Sequence, residues 1–158
     1  MTARAGAAAD RLRAVIRVFL DANILFSAAY RPDSGLLRLW DLADVELVVT
    51  SFVLLEAKVN LDDEEQHERP EDLARRCTLA AEVGEGDARH REHHGLPEKA
   101  RPVLWSAIDL ECQYLVTGDK RHFGRLMGRT TEGVKVVLAR DLLKVLDAGA
   151  SGDPPPSR

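Results

Sequence analysis

Three acidic side chains stand where chemistry could be done. Asp21 closes the run Val18-Phe19-Leu20, and Asp119 follows Leu115-Val116-Thr117-Gly118. Glu56 falls within the apolar stretch that runs from Phe52 to Val59. Short, wholly apolar runs read as parallel strands covered on both faces. Ligands of open α/β sheets collect at the carboxyl ends of such strands, so Asp21 and Asp119 are expected on one sheet edge. At about 100° per residue, Phe52, Leu55 and Val59 share one helical stripe, and Glu56 falls inside it. That stripe is expected to face the core, where a carboxylate needs a partner or a metal. Carboxylates crowded together raise each other's pKa unless a cation intervenes. Mg²⁺ or Mn²⁺, which favour carboxylate and water oxygens, fit that requirement. Each acid also has a plainer reading. Asp21 is a good N-cap for a helix from Ala22, Asp119 a turn or cap residue, and Glu56 a border residue reaching solvent.

The elements that must position these acids follow from the hydrophobic pattern. Strands are expected over about Ile16–Leu20, Glu46–Thr50, Tyr114–Thr117 and Val134–Leu138, with a very short edge strand at Glu82-Val83. A short helix follows Asp21 and ends in the turn Arg31-Pro32-Asp33-Ser34-Gly35. Leu36, Leu37, Trp40 and Leu42-Ala43 suggest another helix, and Ser51 is placed to cap a third, Phe52 to about Leu61. Asp62-Asp63-Glu64-Glu65 reads as a solvated helix end or loop. Further helices are expected from Glu71 to Ala81, from Pro97 to about Cys112 and from Asp141 to Leu146. Strands alternating with helices imply a parallel sheet covered on both faces.

A chain of 158 residues with 45% hydrophobic content has room for one domain with its own core, expected over 15–147. Residues 1–14 read as a tail or loose helical lead-in, and the Pro-rich stretch 148–158 as a disordered tail. The apolar stretch after Ala14 is broken by Arg17 and Asp21, which makes a poor signal peptide, and no run is long enough to span a membrane. Cys77 and Cys112 lie far apart, outside any metal-ligand spacing, and fit reduced thiols of a cytoplasmic protein. A net charge of -4 gives no general attraction for nucleic acid, so such binding needs a local basic patch or a metal. Lys120, Arg121, His122, Arg125 and Arg129 cluster after Asp119 and could hold phosphates, or could form a solvated helical face. His90, His93 and His94 do not make a zinc site without further ligands.

Taken together, Leu20-Asp21-Ala22-Asn23, Glu56 on the third helix and the run from Val116 to Phe123 resemble PIN-domain ribonucleases, closest to the VapC-like toxins of toxin–antitoxin pairs. The resemblance covers most of residues 16–146. It implies a three-layer α/β/α sandwich with a central parallel sheet. It implies metal-site roles for Asp21, Glu56 and Asp119, with Asn23 and Thr117 as polar supports. It also implies Mg²⁺ or Mn²⁺ as cofactor and an RNA phosphodiester as the bond hydrolysed. Relatives of this kind often form homodimers and are blocked by an antitoxin segment inserted near the acids.

One departure stands out. The family has a further aspartate early in the helix before the last acid strand, and Ala100 occupies that position. Asp109 lies about 13 Å farther along that helix and half a turn out of phase, while Glu98 differs in phase by about 200°. Neither replaces the acid, so a weakened or silent metal site is expected. Two other readings remain: a non-catalytic module of the same fold that binds RNA or an antitoxin, and a phosphatase of the haloacid-dehalogenase type. The phosphatase would require an acid where Asn23 stands.

Overall fold

The computed structural model describes residues 15–59, 61, 64–81 and 91–150. The expected tail 1–14, the edge strand at Glu82-Val83, His90 and residues 151–158 lie outside that set. The chain forms β1 (Ile16–Leu20), α1 (Ala22–Tyr30), a 3₁₀ helix (Gly35–Asp41), β2 (Val45–Thr50), α2 (Ser51–Val59), α3 (Glu64–Arg75) and β3 (Thr78–Ala80). It continues through α4 (Arg101–Asp109), β4 (Tyr114–Val116), α5 (Lys120–Phe123), β5 (Thr130–Thr131), β6 (Val134–Val137) and α6 (Ala139–Ala150). The sheet has the order β3-β2-β1-β4-β6-β5, with helices covering it as a three-layer α/β/α fold.

β1 sits inside the sheet, and its composition shows why. Val18, Phe19 and Leu20 are consecutive, so they point alternately to both faces, yet all three are fully buried. β1 pairs in parallel with β2 through Ile16↔Val45 to Phe19↔Val48, and with β4 through Val18↔Tyr114 to Leu20↔Val116. β4 pairs in parallel with β6, ending at Val116↔Val137. This register brings Leu20, Val116 and Val137 abreast, so three loops leave the sheet at one edge. Arg17 ties the opposite end: its backbone N–H donates to Gln113 Oε1 (2.7 Å), and its guanidinium pairs with Glu46 (3.0 Å).

The sheet is parallel, as the sequence predicts, except for one added edge strand. β5 runs antiparallel to β6 with Thr131 opposite Val134. Only Glu132 and Gly133 connect them, both at positive φ (47° and 87°). A two-residue link of that conformation makes a tight hairpin and cannot make a parallel crossover. Helix limits differ as well. The helix expected to start at Glu71 spans Glu64–Arg75, taking in part of the acidic run, and the chain then extends into β3 beside β2. Pairing with a sheet edge overrides helical preference over Thr78–Ala80. The helix expected from Pro97 begins at Arg101, with Pro102 in its first turn. The 3₁₀ helix ends before Leu42 and is fastened by Trp40, whose indole N–H donates to the Leu73 carbonyl (3.0 Å). α6 continues to Ala150, beyond the domain end expected at 147. Among the described residues, no helix is long and apolar enough to cross a membrane.

Two predictions come from this packing. Phe19→Ala removes a fully buried ring from a central strand and is expected to lower unfolding free energy by about 3–5 kcal/mol in urea titration. Burial pushes the thiols of Cys77 and Cys112 up from 9.0 to about 11. At about pH 8 that lowers the thiolate population by about 100-fold, so iodoacetamide labelling of the folded protein should be slow and become rapid on unfolding.

Candidate metal-binding active site

Asp21 is the first residue after β1, and its side chain is buried at 5% exposure. It caps α1: the Ala22 N–H donates to Oδ1 at 2.8 Å. The other oxygen, Oδ2, accepts from the Thr117 hydroxyl (2.8 Å) and the Asn23 amide (3.0 Å). The helix-cap and site readings of Asp21 are therefore compatible, because the cap engages one oxygen and the neighbouring strand the other. Asn23 extends the network: Nδ2 also lies 3.2 Å from Thr117 Oγ1, and Oδ1 accepts from the Gly118 N–H at 2.7 Å. A Cβ on Gly118 would come within 3.3 Å of Asn23 Oδ1, so glycine permits this close approach. Thr117 Oγ1 also accepts from the Asp119 N–H (3.1 Å), which joins the two strand-end acids through one hydroxyl.

Asp119 caps the single turn of α5, accepting from the His122 N–H at 3.1 Å. His122 Nδ1 lies 2.6 Å from Asp119 Oδ2. A carboxylate only accepts, so this ring nitrogen carries the proton and donates. His122, expected as an RNA-binding residue of the basic cluster, is thus engaged in orienting Asp119. The rest of that cluster separates. Lys120 and Arg121 are exposed, and the Arg125 guanidinium lies beside the Gly95 turn.

Glu56 reaches the same cavity from α2, on the stripe expected to carry it, but that stripe does not face the core. Val53 and Ala57 are the buried residues of α2, while Phe52, Leu55 and Val59 are 40%, 60% and 67% exposed. The stripe that contains Glu56 faces outward, so core burial does not explain its placement. The N-terminal contact differs too: Thr50 Oγ1 accepts from the Val53 N–H at 3.3 Å, a capping role expected of Ser51.

These residues line a cavity of about 600 Å³ with Asp21, Asn23, Glu56, Lys99, Ala100, Asp119 and His122 on its walls. Asp21, Glu56 and Asp119 come to one hollow from three elements. Asp21 is raised above the ordinary carboxylate range, chiefly by burial and also by the Asp119 charge, against the pull of its hydrogen bonds. Glu56 is raised by burial and by Asp21, with Lys99 acting in the other direction. Lys99 is a cavity residue the sequence reading missed. Its neighbour Ala100 was singled out for an absent acid, and that position was the available signal.

The donor set suits a hard divalent cation, since it consists of carboxylate oxygens whose charges oppose one another. The spacing is loose. Among the described residues, no three His, Cys, Asp or Glu side chains lie close enough together to hold a metal ion. Ala100, where an acid was expected, adds no further carboxylate to the cavity. It is the N-cap of α4, buried at 5% exposure on the cavity wall, and no side chain caps the helix there. Glu98 is exposed, and Asp109 pairs with Arg91 at 2.7 Å, so neither replaces it. The two described loop histidines diverge: His94 meets Glu132 at 2.6 Å, and His93 lies 6.1 Å from the Trp105 ring. No family model matches this sequence, and no curated protein is significantly similar to it.

Two outcomes test the electrostatics. Thr117→Val leaves Asp21 and the Asp119 N–H short of a partner and should cost about 1–3 kcal/mol in urea unfolding. In EDTA at neutral pH, Glu56→Gln should raise the melting temperature by removing a penalised charge. The folded pKa of Glu56 lies above its unfolded value, so the penalty is full above the folded pKa and absent below the unfolded one. The advantage of the variant should therefore shrink as pH falls through the raised pKa and vanish below 4.5. A pH-independent difference in melting temperature would refute the assignment.

Proposed function

We propose that this chain is a PIN-type endoribonuclease dependent on Mg²⁺ or Mn²⁺, of the toxin kind, with a weakened metal site. One observation carries the reading: Asp21, Glu56 and Asp119 line one cavity at the carboxyl edge of the sheet, and Ala100 lies on its wall. Asp21 and Asp119 would hold the ion from the sheet edge and Glu56 from α2. A divalent ion bound there would activate a water and stabilise charge on the phosphate under attack. The protein's own part is positional. Thr117, Asn23 and the Ala22 amide hold Asp21 in one orientation, and His122 holds Asp119. Lys99 places a positive charge on the cavity wall, where a phosphate oxygen would approach.

The second reading, an RNA- or antitoxin-binding module that does not cut, draws on the loose spacing of the acids and on Ala100. The phosphatase reading has less support. Both polar groups of Asn23 are engaged with Asp21, Thr117 and Gly118, and an amide offers no acid for proton transfer. The reading also brings a cytoplasmic setting, a homodimer and a blocking antitoxin. The exposed Phe52, Leu55 and Val59 beside the acids are an apolar surface suited to a protein partner.

The test is cleavage of single-stranded RNA with Mg²⁺ or Mn²⁺, comparing this chain with Ala100→Asp and Asp21→Asn. Ala100→Asp supplies an acid and a helix cap together and should increase cleavage, whereas Asp21→Asn should reduce it at least about 100-fold. Equal, robust activity in this chain and Ala100→Asp would remove the weakened-site idea. Cleavage insensitive to EDTA would remove the metal.

A further inference from the structure

The acidic cavity does not end at Asp119. Asn23 and Asp119 also form one wall of a second hollow of about 560 Å³, whose other walls include Lys120, Arg140 and Ser27. Arg140 in turn lines a third hollow of about 500 Å³, with Arg38, Lys144 and Asp141. Three hollows therefore adjoin through shared residues, and their charge passes from acidic to basic. The strand register explains the juxtaposition. Val116 and Val137 pair at the ends of β4 and β6, Asp119 and Arg140 each lie three residues beyond, and Lys120 follows Asp119 directly. The topology thus sets a carboxylate and a guanidinium side by side on one edge. Lys120, Arg140 and Lys144 are all exposed, and none has an ion-pair partner among the described residues. The start of α6 also lies in the second hollow, and its positive end reinforces the sign.

We propose that these basic hollows are the binding track for the RNA strand on one side of the scissile bond. The strand leaves the acidic cavity over Asn23 and Asp119 and lays a phosphate on Lys120 and Arg140. A later phosphate lies at Arg38 and Lys144. The proposal rests on the ribonuclease reading for its direction from the acids. It adds the subsites and the role of Arg140 and Lys144. Asp21 is buried at the cavity's base, and a phosphate must dip towards it, which an unpaired backbone can do and a stacked duplex resists. In a chain of net charge -4, this track is also the local cationic surface that nucleic-acid binding requires.

The test is made in EDTA, so that binding is read without cleavage. Fluorescence anisotropy of a labelled oligouridine of about 12 nucleotides is followed from about 50 to 200 mM salt for the full chain, Lys120→Ala, Arg140→Ala, Arg140→Glu and Arg75→Ala. Lys120→Ala and Arg140→Ala should each weaken binding by about threefold to tenfold at low salt and reduce the log–log salt slope by about 0.7. Arg140→Glu should weaken it further. Arg75, which pairs with Asp72 on α3 away from the hollows, should leave affinity and slope unchanged on replacement. Equal losses at Arg75 and Arg140, no loss at either track residue, tighter binding of a duplex of the same length, or no binding by the full chain would each overturn the proposal. A strand bound with this footprint but never cut when Mn²⁺ is added would leave the track standing and remove the nuclease reading alone.

Discussion

A buried carboxylate held by two neighbouring segments is the constraint on which the rest of the site depends. Asp21 leaves β1, and Thr117 leaves the adjacent β4 in register with it. Their hydrogen bond of 2.8 Å crosses between strands that are far apart in sequence. Burial alone disfavours the charge on Asp21, and the three donors around it counter that cost only in part, since its pKa stays raised. Lys99 offsets part of the charge on Glu56 in the same cavity. Holding carboxylates in this hollow therefore costs stability, in the way perturbed groups of binding sites often do.

Parallel pairing turns that local strain into a directional surface. Because β1, β4 and β6 run the same way, everything that follows them emerges together. The loop after β1 contributes Asp21 and Asn23, the loop after β4 contributes Gly118, Asp119 and Lys120, and the segment after β6 contributes Arg140. Helices α2 and α4 then approach the same edge, with Glu56 and the Lys99-Ala100 pair. The outcome is a gradient from carboxylates to cations along one rim, produced by topology in a chain whose overall charge is slightly negative.

The distribution of apolar surface follows a different logic. Single-turn periodicity in Phe52, Leu55 and Val59 is real, but a periodic stripe says only that those residues share a face. Val53 and Ala57 occupy the face that meets the body of the protein. Small residues there let α2 lie close, while the larger ones stand exposed around Glu56. From this outward stripe Glu56 and Val59 reach the acidic cavity, which is why Glu56 is only half-buried.

Much of the fold was legible from the chain alone. Consecutive burial of Val18, Phe19 and Leu20 follows from composition, because a strand without polar residues can only sit between two covering layers. The positions of Asp21 and Asp119 after such strands, and hence their common edge, follow from the same pattern. Other features depended on long-range pairing. β3 exists because an edge of β2 was open to it, and β5 because a two-residue turn folded it back onto β6. Which face of α2 points outward, how His122 engages Asp119, and that Arg140 comes to lie beside Lys120 were decided by tertiary packing. Local periodicity records which residues lie together on an element. It carries no information about what that element will meet.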